Sequence, residues 1–424
     1  MIKTMKSEEF MAFRQVREAS LQADVAAVVA EIIADVKLRG DAALRDYTAR
    51  FDGCLIDTFE VSQAEKGSAF EEVGADYLAV IKRAAANIEE FHRRQIRQGF
   101  VMTPGNGIVL GQRILPIDCA GIYVPGGTAA YPSTLLMNVI PARLAGVSKI
   151  IIVSPPSKDG RIDAGIIAAA MVAGADRIFK VGGAQAIAAL AHGTESIPRA
   201  DKITGPGNAY VAEAKRQVFG IVGIDMIAGP SDILVIADKK ANPSLVAADM
   251  LSQCEHGIDS AAVLITDSAD LAGMVAGEIE TQLSLLPRQE IARESVDNNG
   301  MIIIADTLEQ AFEISDIMAP EHLEIFLDEP FSYLHMVKNA GSVFLGRNTP
   351  EALGDYFAGP NHTLPTLGTA RFSCSLSVDD FIRKQSFTYY SQDALEAVGA
   401  DIALFAAKEG LDAHAASVTR RMRN

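Results

Sequence analysis

The sequence predicts an α/β protein, and three observations carry that prediction. Short apolar runs rich in Val and Ile alternate with helical patterns twice over, across 119–192 and again across 232–345. Such alternation marks parallel strands covered on both faces by helices. Glycine-rich turns close several of the strands. Finally, 424 residues exceed one simple core, and 49% hydrophobic content supplies apolar material for more than one. The reading is two doubly wound, incomplete Rossmann-like parallel-sheet domains with helical N- and C-terminal arms. The arms are 1–24 and 377–424; the first α/β domain is 25–122 with 232–376, and the second is 123–231.

In chain order, 25–34 and 77–84 carry apolar residues at helical spacing, and 42–51 is amphipathic between them. Gly40 stops the first. Residues 108–111 and 113–116 read as short strands. The material before 123 is expected to pack on the 232–376 unit. Residues 119–127 are a strand running into a glycine turn. A helix over 134–146, a strand over 149–153, a helix over 163–173, a strand and turn over 177–183 and a helix over 185–192 follow. The pattern restarts with a strand over 232–237. Asn242-Pro243 then opens a helix with an N-cap and a first-turn proline, and Gly257 stops it. Strands over 261–266 and 300–305 alternate with helices over 270–286 and 307–318, and 322–327 and 341–345 are further strands. From Asp393 the chain reads as helical.

Composition narrows the function classes. Trp is absent and aromatics are 6%, which suits close helix-on-sheet packing. A net charge of −16 argues against nucleic acid or an anionic membrane as partner. An anionic cofactor would need local donors such as helix N-termini. Cys54, Cys119, Cys254 and Cys374 form no C-x-x-C pair, so a reduced, cytoplasmic setting is expected. The first ten residues lack the apolar core of a secretion signal, and no run of about 18 apolar residues exists to span a membrane.

Several stretches carry chemistry. Pro320 ends the 307–318 helical pattern, and Glu321-His322 follow at the break. Alone, the pair also reads as a surface dipeptide, although such breaks are where scaffolds present reactive groups. No G-x-G-x-x-G follows a strand. Instead there are Val124-Pro125-Gly126-Gly127, Val181-Gly182-Gly183-Ala184-Gln185 and Gly205-Pro206-Gly207-Asn208-Ala209. Each by itself is a turn. Together they line up at the carboxyl edge of one sheet, where ligands of open α/β sheets bind. Gln253 and His256 share one helical face at a helix C-terminus, which favours a cation; the alternative is a polar last turn. The loop 354–362 brings Asp355, Asn361 and His362 into nine residues. Asp, His and Gln form a mixed oxygen–nitrogen donor set that suits zinc. His414 is spaced as a packed helix histidine. On one continuous helix it would diverge from Glu409 by about 140°, and a break at Gly410 would let both reach one site. His92 and His335 lie in ordinary helical patterns and receive no role.

These stretches recur together. They are Gly121-Ile122-Tyr123-Val124-Pro125-Gly126-Gly127, Thr204-Gly205-Pro206-Gly207-Asn208, Ala228-Gly229-Pro230-Ser231-Asp232 and Ser252-Gln253-Cys254-Glu255-His256-Gly257. Ala319-Pro320-Glu321-His322-Leu323, Gly354-Asp355-Tyr356 through Gly359-Pro360-Asn361-His362, and Thr369-Ala370-Arg371-Phe372 complete the set. In this order, over nearly the whole chain, the sequence resembles the histidinol dehydrogenase family. The resemblance implies a zinc-dependent oxidation of L-histidinol through L-histidinal to L-histidine, with two NAD+ reduced, ending histidine biosynthesis. It implies one zinc per subunit on Gln253, His256, Asp355 and His414, the last supplied across a homodimer. Those four and His322 would also touch substrate, with Ser231, His362 and Glu409. Tyr123, Gln185 and Asn208 match NAD-contacting positions in the 123–231 domain, and Glu321 and His322 match the catalytic acid–base pair.

The residue types suit that chemistry. A histidine near neutrality can take the hydroxyl proton as hydride leaves, and a neighbouring carboxylate can activate water for the aldehyde step. Zinc can orient an amino-imidazole substrate. A Cys254 thiol is a chemical alternative for aldehyde oxidation. On a regular helix, however, it points about 100° from Gln253 and about 160° from His256, so it reads as packing. Two other functions remain open: oxidation of another amino alcohol, separable at Ser231, His362 and Glu409, and zinc-dependent hydrolysis through Glu321 without NAD, which the missing G-x-G-x-x-G keeps alive.

Overall fold

The computed structural model of the chain describes residues 2–14, 23–126 and 131–423. The chain forms two compact units, Met1–Gln95 with Asp118–Phe381, and Ile96–Ile117 with Ile382–Asn424. Fourteen strands are defined in the described residues: β1 Lys3–Lys6, β2 Phe100–Gly105, β3 Ile108–Pro116, β4 Cys119–Tyr123, β5 Lys149–Ser154, β6 Arg177–Lys180, β7 Lys202–Thr204, β8 Gly223–Ile224, β9 Asp232–Ala237, β10 Ala261–Thr266, β11 Met301–Ile304, β12 His322–Phe326, β13 Ser342–Leu345 and β14 Ile382–Tyr390.

The first unit holds two parallel sheets. One runs β6-β5-β4-β7-β8, the other β1-β11-β10-β9-β12-β13. Apart from β1, in each the chain starts at a central strand (β4 or β9), winds outward to one side, then returns to the other side. The direction reverses between β4 and β7 and between β9 and β12, which is the doubly wound arrangement. The apolar runs behind the prediction are the central strands: Ile233–Ala237 and Ile150–Val153 are buried throughout. Asp163, Asn208, Asn242, Ser268 and Thr307 each cap a crossover helix, their side-chain oxygens accepting backbone N–H groups of its first turn.

Three features depart from the sequence reading. β1 lies in the stretch read as a helical arm; four residues paired to β11 across 298 positions of sequence leave no local pattern. Ser7–Arg14 of that arm is helical as read, and 15–22 falls outside the described residues. Second, the helices Ala23–Arg39, Asp41–Phe51 and Gln63–Arg93 pack on the helices that cover the β4–β8 sheet, the last of them on Pro132–Ala145 and Ala164–Ala173, not on the β9–β13 sheet to which the sequence assigned them. Val29, Ile32, Val36, Ala43 and Leu44 share a core with Val153, Phe179 and Ala186–Leu190. The small side chains of helix Gly183–His192 allow close helix approach, and an amphipathic period shows a buried face without saying what buries it.

The third departure is the second unit. It contains an antiparallel sheet, β14-β3-β2, with helices Gln392–Lys408 and Asp412–Thr419. β3 is one continuous strand where two short ones were expected, and β14 lies inside the stretch read as a helical arm. β14 is mostly exposed, so it lacks the alternation that one buried face imposes. Phe100, Val101, Tyr389, Leu404 and Phe405 of this unit are exposed. Among the described residues, no helix is long and apolar enough to cross a membrane.

Candidate active site

The site is built where helix Leu308–Met318 turns into β12. Ala319 caps the helix at φ 50°, in the left-handed region, with its N–H on Ser315 O. That conformation costs a non-glycine residue about 1–2 kcal/mol. Pro320 prevents the helix from continuing, and His322 is already the first residue of β12.

Asp232, at the start of neighbouring β9, ties this corner together. Its N–H donates to Glu321 Oε2 at 3.0 Å, and the Glu321 N–H donates to Asp232 Oδ1 at 2.9 Å. His322 Nδ1 lies 2.9 Å from the Asp232 carbonyl oxygen. A carbonyl can only accept, so Nδ1 carries the proton and Nε2 presents a bare lone pair. That Nε2 is buried with no hydrogen-bond partner, 3.8 Å from Glu351 Oε1 and 3.9 Å from Asp355 Oδ1. Burial holds His322 below its ordinary 6.5, so the imidazole is neutral at pH 7. Burial also lifts Asp232 to about 6, and burial with the Asp232 charge lifts Glu321 well above its ordinary 4.5, which makes its carboxylate the stronger base.

Three further segments face this corner. Gln253, 1% exposed in the last turn of helix Pro243–Cys254, has both polar side-chain atoms buried without partners. His256 follows that helix, near enough for its charge to add to the burial that depresses His322 and His362. Helix Glu351–Tyr356 places Glu351 and Asp355 on one face; ligand atoms of His322, Glu351 and Asp355 all lie within 4.8 Å of one another. His362 Nδ1 sits 2.9 Å from the Asp355 carbonyl, and burial lowers its pKa to about 4. A cavity of about 130 Å³ is lined by His322, Phe344, Asp355, Asn361 and His362. Ser231 is half-buried beside Asp232.

The pair Glu321-His322 is thus brought together with Gln253, His256, Asp355 and His362, at the amino ends of β9 and β12. Glu409 and His414 belong to the second unit, where both are exposed. Glu409 caps helix Gln392–Lys408, and Gly410 at φ 76° breaks the chain before Asp412–Thr419, where the sequence placed the break. Sequence reasoning missed Glu351, Glu324 and Asp249. Glu324 Oε1 accepts the Glu351 N–H at 2.7 Å, and Glu351 Oε2 accepts from Ser252 Oγ at 3.2 Å. The available signals were the i, i+4 spacing of Glu351 and Asp355, and the shared strand face of His322 and Glu324. Cys254 is fully buried and its thiol is pushed up to about 11 by that burial, as its packing role predicts.

The glycine turns sit at the carboxyl ends of β4, β6 and β7, on the other sheet; Gly127 lies outside the described residues. Tyr123 ends β4, and its hydroxyl accepts the Gly183 N–H at 3.2 Å. Gln185 is buried in the first turn of helix Gly183–His192. Asn208 is exposed at the head of helix Ala209–Val218, its side-chain oxygen accepting from Tyr210 and Val211 N–H. Gly205 adopts φ 111°, and a Cβ there would collide with the Tyr123 carbonyl. The buried Lys215–Asp225 ion pair grips the same glycine, Lys215 Nζ donating to its carbonyl at 3.0 Å and Asp225 Oδ2 accepting its N–H at 2.8 Å.

The chain is similar to known proteins over nearly its whole length. The family profile described as histidinol dehydrogenase matches residues 15–422. Histidinol dehydrogenase from Geobacillus kaustophilus is 54% identical over 394 residues, 93% of each chain. That from Bacillus subtilis is 51% identical over 422 residues, covering 100% of this chain and 99% of its own. The crystal structure of histidinol dehydrogenase from Elizabethkingia anophelis superposes with a TM-score of 0.93 at 38% identity, covering 99% of this chain and 98% of that one. A zinc-dependent hydrolase is set aside by these matches.

Proposed function

The chain belongs to the histidinol dehydrogenase family, and from that premise we propose that it oxidises L-histidinol through L-histidinal to L-histidine, reducing two NAD+ with one zinc ion per subunit. The observation that carries this reading is the bare Nε2 of His322, buried in a cavity among acidic side chains. His322 Nε2 would accept the hydroxyl proton while NAD+, when bound, supplies the hydride acceptor, so that the C–O bond becomes a carbonyl. Water then adds to the aldehyde. One oxygen of Glu321 is held by the Asp232 N–H; the other takes the proton of that water. With that proton kept on Glu321, the adduct is the hydrate anion, and loss of its hydride to a second NAD+, held by the cofactor-side residues, would leave the acid.

The donor set fits a metal. Gln253 buries an amide with no partner, which is costly unless something binds it. Gln253, His256 and Asp355 would hold zinc, with His414 from the partner subunit as fourth ligand. Zinc bound there supplies orientation, fixing the amine and imidazole nitrogens of the substrate. His322, Ser231, His362 and Glu409 would complete the substrate contacts, and Tyr123, Gln185 and Asn208 the NAD site. The exposed apolar side chains of the second unit support a homodimer, because a second copy would remove that surface from water. A biosynthetic role and four free cysteines, three of them buried, agree with the cytoplasm.

The test is stoichiometric. With histidinol limiting and NAD+ in excess, NADH absorbance should rise by two equivalents. Chelation should abolish the rise, and zinc should restore it. One equivalent, or an unchanged rate after chelation, would overturn the reading.

A further inference from the structure

Pro141 lies inside helix Pro132–Ala145. A proline has no N–H, so the carbonyl four residues back, that of Met137, loses its helical partner. Met137 is fully buried, out of reach of water. The carbonyl is instead filled from another segment, as Asn361 Nδ2 donates to it at 2.6 Å. The same amide nitrogen lies 3.3 Å from His92 Nε2. His92 Nδ1 is 2.8 Å from the Ile88 carbonyl, so Nδ1 holds the proton and Nε2 accepts. Asn361 Oδ1 accepts the Thr363 N–H at 2.9 Å, and Thr363 Oγ1 accepts from Asn138 of the same helix at 3.3 Å. Two donors and one acceptor are therefore satisfied in a buried place, a combination that a primary amide supplies and a carboxylate does not. The next residue is His362, folded back onto the Asp355 carbonyl.

We infer that Asn361 is a positioning residue for His362, and that Pro141 exists in its helix to create the acceptor on which Asn361 anchors. The inference rests on reading His362 as a substrate contact. Helix Pro132–Ala145 follows the glycine turn at the end of β4, so the anchor fixes the substrate loop to an element of the cofactor-side sheet.

The test uses the zinc-loaded, full-length enzyme with Asn361→Ala, Pro141→Ala, the double variant and His362→Ala. Asn361→Ala should raise the KM for histidinol roughly tenfold, as loss of one buried hydrogen bond predicts, with the KM for NAD+ within about twofold. Its thermal midpoint should fall, because the Met137 carbonyl is orphaned. Pro141→Ala gives that carbonyl a helical N–H in competition with Asn361. It should raise the histidinol KM without lowering the midpoint. In the double variant the midpoint lost in Asn361→Ala should return while the histidinol KM stays high. That separation of stability from KM is what a merely structural contact does not produce. Recovery of both together, or an unchanged histidinol KM in both single variants while His362→Ala raises it, overturns the inference. An unchanged KM in His362→Ala instead removes the reading on which it rests.

Discussion

His322 and Glu321 are neighbours in sequence, yet the structure holds them in different hydrogen-bond settings. The Asp232 carbonyl dictates where the imidazole proton resides, and the Asp232 N–H holds one oxygen of Glu321. Glu321→Gln keeps an oxygen for that N–H but cannot accept a proton. It should leave conversion of histidinol to histidinal within a few-fold and slow the aldehyde step by at least about 10²-fold, whereas His322→Ala should slow both steps by that amount. Rapid-quench analysis of the two half-reactions separates these outcomes. His92 makes a second prediction. Burial holds its pKa below 6.5, so the unfolded chain takes up this proton at higher pH than the folded one. Its contribution to stability is complete above pH 6.5 and is lost as pH falls through the folded value. The urea midpoint of the wild type should therefore drop more between about pH 7.5 and about pH 5 than that of His92→Gln. At this scale the sequence exposed residues set off by breakers, such as Glu321-His322 and Asp355 with His362. It hid Glu324, Asp249 and Glu351, which look like ordinary strand and helix charges until the fold buries them together.

Among the elements, the parallel strands were readable because burial on both faces leaves continuous apolar runs, as in β5 and β9. The helix ends were readable from Asp163, Asn208 and Asn242. β1, β2 and β14 were not, because each is an edge or exposed strand whose pairing is set by distant residues. Turn geometry was partly legible: the glycines of Gly205-Pro206-Gly207 were visible, the reason for the first was not. Gly205→Ala would force a side chain into positive φ and onto the Tyr123 carbonyl. It should cost about 1–3 kcal/mol of stability and raise the KM for NAD+ more than that for histidinol. Denaturant melts and initial rates at varied NAD+ test both parts, and an unaltered NAD+ KM would place the cofactor elsewhere.

For the whole molecule, periodicity declared that the helices before residue 95 bury a face but not which sheet receives it. The docking of Ala23–Arg39 and Asp41–Phe51 beside the β4–β8 sheet had to come from the shape of the Ala-rich helix Gly183–His192. The proposed role of His414 is tested at the level of assembly. Chains carrying His414→Ala and chains carrying His322→Ala should each be inactive. Mixed and reassembled, they should recover about a quarter to a half of the wild-type rate if each site draws on two copies. No recovery in a mixture shown to contain heterodimers would assign His414 to its own chain's site.

Pro141 and Asn361 constrain how this sequence can drift. The amide and the carbonyl it serves are 224 positions apart, yet neither partner can change freely. Losing Asn361 first strands a buried carbonyl. Losing Pro141 first leaves two donors competing for one acceptor, which is the milder defect. Any lineage that abandons the arrangement should therefore replace the proline before the asparagine, and chains with Pro141 but no amide at 361 should be rare.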